Sequence, residues 1–110
     1  MVLHYPLKVV PLIMQITILA SATKHGIDAA EITAIMTYPI LRVAIRARRD
    51  DAALVLHIGA LADSEPHIEV IADVAPPIPV VFHAMMLRPS LVAQIGIGHL
   101  FEPNYAHQRR

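Results

Sequence analysis

The sequence has no cysteine and no tryptophan. Without cysteine there is no disulfide framework, no thiolate zinc site and no thiol nucleophile. Only two Phe and three Tyr are present, which excludes a platform of aromatics on which bases could stack. Charge of either sign is lacking in excess. Nine basic residues balance nine acidic ones, so any cationic surface must be local. The apolar runs fall short of a membrane span, and no membrane is expected as a partner.

What is present is a chain of 110 residues that is 55% hydrophobic, enough for one domain with a core of its own. The first residues carry Lys8, an apolar stretch and then Ala20-Ser21-Ala22, which together have the outline of a secretory signal. Pro11 and Gln15 interrupt that run. Residues 1–13 are therefore read as an extension, residues 14–95 as a single domain and residues 96–110 as a polar, mobile tail. The expected location is cytoplasmic.

Periodicity divides the domain into helices followed by strands. Residues 15–25 read as a helix stopped by Gly26, and residues 28–37 as a second one. Asp28 and Glu31 form a capping box, Ile27 and Ile32 a hydrophobic staple, and Pro39 ends the helix. Strands are predicted over 40–47, 53–59, 67–73 and 79–85, and a short helix from Ser90 to Gln94. The expected fold is α+β: two N-terminal helices on one face of a four-stranded, mainly antiparallel sheet, with a short C-terminal helix. Alternation puts Leu41, Val43, Leu54, Leu56, Ile68, Val70, Val80 and Phe82 on the covered face. Arg42, Arg46, His57, His67, Glu69 and His83 fall on the opposite face, which is expected to be open.

Four stretches stand out together: "KHGIDAAEITAIMTYP", "LHIG", "IEV" and "VVFHAMMLRP". Between Ile16 and Gln94 this pattern resembles a family of small bacterial and actinobacterial proteins near the BrnT-type toxins of the RelE-like superfamily. The histidine-alanine-methionine and arginine-proline segment is the most specific part. The resemblance implies a compact ribonuclease toxin that works on RNA through Arg, Lys, His and Glu side chains of the open sheet face. It also implies a small antitoxin partner, often of the ribbon-helix-helix type. The chain departs from the pattern in two places. It has "ALADSEPH" where relatives often carry Asp-Arg-x-Gly-Asn, and Met85 and Met86 where they carry Arg and Lys.

RNA cleavage without a metal needs a base for the 2′-OH, an acid for the leaving 5′ oxygen and a cation for the phosphorane. His suits the proton transfers near neutral pH and the Arg fork suits phosphate. The candidates are His83, His57, Glu69 and Arg88 for catalysis, and Arg42 and Arg46 for binding RNA. Each has a plainer reading. His83 could be a strand-end His bonded to a carbonyl, and Arg42 and Arg46 could solvate the open face. Lys24 and His25 are read as cations favoured by a helix C-terminus. No spacing supports a zinc site from His57, His67 and His83, and no metal or cofactor is expected. The rival to catalysis is a binding module of the same fold, using its open face for a homodimer or another partner.

Overall fold

A computed structural model describes residues 15–109, and the extension expected over residues 1–13 lies outside them. The chain is α+β. Its elements run β1 (Thr17–Ile18), α1 (Ala20–Thr23), α2 (Ala29–Thr37), β2 (Leu41–Ile45), β3 (Leu54–Gly59), β4 (Ile68–Asp73), β5 (Val80–Met86) and α3 (Pro89–Ile95). They form one five-stranded sheet in the order β1-β5-β4-β3-β2. β2 to β5 pair antiparallel with their neighbours, and β1 adds to β5 in parallel. Among the described residues no helix is long and apolar enough to cross a membrane.

The predicted helix over 15–25 is replaced by a two-residue strand and one helical turn. Thr17 and Ile18 are β-branched and fit a pleated edge, and their backbone pairs with Val80 and Val81. Leu19 stays extended before the turn of α1, and the Ser21 hydroxyl donates to the Phe82 carbonyl at 2.8 Å. This crossover fixes α1 along the β5 edge. Gly26, at φ 84°, turns the chain out of it. α2 forms as its caps dictate. Asp28 accepts from the Glu31 N–H at 2.8 Å, and Glu31 accepts from the Asp28 N–H at 3.2 Å.

Neither side of the sheet is the fully open face that was predicted, and the residues expected on it divide between the two sides. α1 and α2 cover one side of the sheet, packing Ala22, Ile32, Ile35 and Met36 on Ile68, Val70, Val81 and Ala84. α3 covers part of the other side, packing Val92 with Leu56, Ile58 and Ile71, with Leu41, Val43, Ile45, Leu54 and Phe82 half-buried around it.

The eight residues expected on one covered face therefore divide between two. Leu41, Val43, Leu54 and Leu56 do share a face, but Ile68 and Val70 lie on the other. The cause is register. Leu56 pairs with Ile71 and Ile58 with Glu69, so the residues between them turn toward α2. β4 is buried on both sides because both are covered, so exposure does not mark one side of it as the outer one. A bulge at Phe82 adds a second shift, since Ile71 pairs with His83 while Ala72 pairs with Val81.

The C-terminal residues read as a mobile tail are held against the domain. Ile97 is buried, and the Phe101 ring meets His67 edge-on at 5.4 Å. The His67 N–H donates to the Asn104 carbonyl and the Asn104 N–H donates to His67 Nδ1. Gln108 brackets Met86, accepting from its N–H at 3.0 Å and donating to its carbonyl at 2.7 Å. Its side-chain amide thereby stands in for a neighbouring strand at the β5 edge.

Candidate active site

Glu69 sits in mid-strand on β4 and is fully buried. A carboxylate there is tolerable only if its oxygens are filled by donors. Arg88, the N-cap residue of α3, provides most of them. Its backbone N–H donates to Oε1 at 2.9 Å, Nε donates to Oε1 at 3.1 Å, and Nη2 donates to Oε2 at 2.7 Å. His83 Nε2 donates to Oε2 at 2.7 Å. A carboxylate only accepts, so this contact places the ring proton on Nε2 and leaves Nδ1 as the other working nitrogen.

Burial alone would push the Glu69 carboxyl up. The hydrogen bonds from His83 and Arg88 and the Arg88 charge outweigh it and hold the group below its ordinary value. Glu69 is thus the fixed anion of the group rather than a proton carrier. The Arg88 guanidinium gains the matching effect from its bonds to Glu69 and is held still more firmly charged. Arg88 remains 37% exposed in its side chain, and Nη1 takes no part in the pair.

His25 completes the cluster. Its ring stands edge-on to that of His83, with centres 6.1 Å apart and planes at 64°. The "KHG" stretch that follows α1 and the "HAMMLRP" stretch of β5 therefore meet at one point on the surface. Sequence reasoning assigned His25 to a helix end. The helix is one turn long, and the residue's surroundings come from β5 instead. No local pattern in the sequence joins the two histidines, which lie 58 positions apart and meet only in the fold.

The remaining candidates are elsewhere. His57 pairs with Val70 and Arg42 across the strands, on the sheet side opposite Glu69. It is fully buried, its Nδ1 donates to the Val55 carbonyl at 3.2 Å, and among the described residues its Nε2 has no hydrogen-bond partner. Burial first and the Arg42 charge second hold it below the ordinary imidazole value, so His57 is a neutral core residue. Arg42 and Arg46 are exposed on or just beyond β2, three strand positions from β5. Among the described residues, no group of three or more His, Asp or Glu is placed to hold a metal ion.

The cluster thus has one oriented imidazole, a second imidazole beside it, and a guanidinium with a free donor edge. That combination can accept a proton, deliver a proton and bind an anion. Comparison with family models, with curated proteins and with solved structures finds no match to this chain.

Proposed function

We propose that this chain is an endoribonuclease of the toxin type, cutting RNA by acid–base chemistry shared between His83 and His25. The observation that carries this reading is the meeting of the two rings beside a buried Glu69–Arg88 pair. One imidazole takes the proton of the 2′-OH as it attacks phosphorus. The other protonates the 5′ oxygen as its bond to phosphorus breaks, which leaves a 2′,3′-cyclic phosphate and a 5′-hydroxyl. The Arg88 Nη1 edge offsets charge on the phosphorane oxygens. Glu69 is a positioning residue that keeps His83 in one tautomer and one orientation. In this scheme His57, Arg42 and Arg46 leave the catalytic group. A small antitoxin of the ribbon-helix-helix type and a cytoplasmic location go with the same reading.

A binding module without catalysis is the second reading. It is favoured by the incompletely covered sheet side, where Leu41, Val43, Ile45 and Leu54 stay half-buried. A homodimer or a partner protein seated there would finish the core.

The test is cleavage of end-labelled RNA by the full chain in the presence of EDTA. Products with 2′,3′-cyclic phosphate ends are expected. His83→Asn should slow their formation on the order of 10²–10⁴-fold while the protein stays folded at the assay temperature. Intact RNA after prolonged incubation at micromolar protein would leave the binding module as the better reading.

A further inference from the structure

A concavity of about 700 Å³ opens at the far end of the sheet from Arg88. Its floor is Leu54 of β3, Val80 and Phe82 of β5, and Leu19. The rim is the end of β2 and the turn after it, where Arg46, Arg48 and Arg49 all line the opening, with Asp73 facing them. Neither His25, His83, Glu69 nor Arg88 lines it, so it is a site apart from the acid–base cluster.

Three features set the chemistry of what it can hold. The volume is in the range of sites for single small molecules. The floor is aliphatic apart from one phenyl ring and offers no side-chain donor or acceptor, which suits a hydrocarbon and not a nucleobase. The rim is cationic. Arg49 is drawn to Asp51, at 3.4 Å, and Asp73 accepts from the Ala53 and Ala75 N–H groups. Among the described residues, Arg46 and Arg48 have no such carboxylate partner. Two guanidinium forks above an apolar floor match a ligand with an oxyanion at one end and a chain at the other.

We infer that this cavity binds a small anionic amphiphile, with its tail on the Leu54–Val80–Phe82 floor and its carboxylate or phosphate head between Arg46 and Arg48. Titration calorimetry of the full chain tests it with decanoate, decyl phosphate, inorganic phosphate and decyltrimethylammonium, all below their micellar range. Saturable binding of one molecule is expected for decanoate, decyl phosphate or both, and the preference between them identifies the head group. Hexanoate should bind at least tenfold more weakly than decanoate, because each methylene on the floor contributes roughly 0.8 kcal/mol. The Arg46→Ala/Arg48→Ala double variant changes only exposed side chains, so it should fold normally and lose at least tenfold in affinity. The inference is overturned by no saturable binding of either anion, equal binding of decyltrimethylammonium, affinity independent of tail length, or an undiminished double variant. Inorganic phosphate binding as tightly as decyl phosphate would overturn it as well, since the floor would then contribute nothing.

Discussion

Arg88 closes on Glu69 twice, once with its own backbone N–H and once with its guanidinium. The first contact ties the start of α3 to the middle of β4, and the second neutralises a carboxylate with no access to water. The two serve different ends. One sets where the helix begins, and the other makes a buried charge tolerable inside an aliphatic sheet.

Truncating Arg88 should therefore cost more than its exposure suggests. Arg88→Met leaves Glu69 buried with His83 as its remaining side-chain donor. The expected loss is about 3 kcal/mol, the lower end of the range for a broken buried pair, because Arg88 itself is partly solvated. Glu69→Met/Arg88→Met removes both charges and should be more stable than Arg88→Met alone. Urea unfolding of the three proteins measures this. A double variant less stable than the single would show that the pair is not what makes Arg88 necessary.

Acidification should weaken the fold in two separate windows. Burial holds His57 and His67 below the ordinary imidazole value of 6.5, with the Arg42 charge adding to the effect on His57. A base depressed in the folded state takes up protons more readily when unfolded. The stability these two contribute is thus complete above pH 6.5 and is lost as pH falls from there through their folded values. Glu69 acts lower. Its contribution is complete above its ordinary value of 4.5 and is lost as pH falls through its depressed folded value. Urea midpoints followed from neutral to acid pH should decline in both windows. A flat profile below neutrality would contradict the burial of the two histidines.

His57 illustrates what could and could not be read in advance. Its place on a strand, and its alternation against Leu54, Leu56 and Ile58, were legible from the sequence, as were the Asp28 and Glu31 caps of α2. Which residues of β4 would share its side was not. A strand buried on both faces has no solvent side to orient it, so Glu69 was placed beside His57 when the register puts the two on opposite sides. β1 escaped notice because a two-residue parallel strand has too few residues to show a period. The pairing of His25 with His83 is a long-range contact made by that crossover, and local pattern cannot supply it.

His57→Leu should leave the protein as stable or raise its stability by about 1–2 kcal/mol. The unpartnered Nε2 lies in the core, and a buried polar group without a hydrogen bond costs energy of that order. The same variant should flatten part of the decline below pH 6.5, since His57 would no longer take up a proton on unfolding. Thermal and urea melts at neutral and mildly acid pH check both. A large loss of stability would mean that the imidazole does more in the core than fill space.

Gln108 should matter more than a residue so close to the terminus usually does. It satisfies both the N–H and the carbonyl of buried Met86, and Gln108→Ala exposes or orphans the two together. The expected loss is about 1–3 kcal/mol. Arg109→Ala breaks a surface pair with Glu31, at 2.6 Å, and should cost at most about 1 kcal/mol. Hydrogen exchange at the Met86 amide distinguishes them, because Gln108→Ala should speed it and Arg109→Ala should not. Equal effects would show that the segment is held as a whole rather than by the Gln108 bracket.

If His25 and His83 act on one phosphodiester, their losses should not multiply. Each single Asn variant removes a proton transfer from the same step and should slow cleavage on the order of 10²–10⁴-fold. Once one transfer is gone the second ring has little left to assist, so His25→Asn/His83→Asn should be only slightly slower than the worse single variant. A histidine with a purely structural role would behave differently. Its replacement would add only a small independent factor to the rate, and the factors of two such residues would multiply. Single-turnover cleavage of a short labelled RNA by the four proteins, with melting temperatures measured alongside, separates the two cases. Full activity of His25→Asn would remove that residue from the site and leave His83 to carry the chemistry with Arg88.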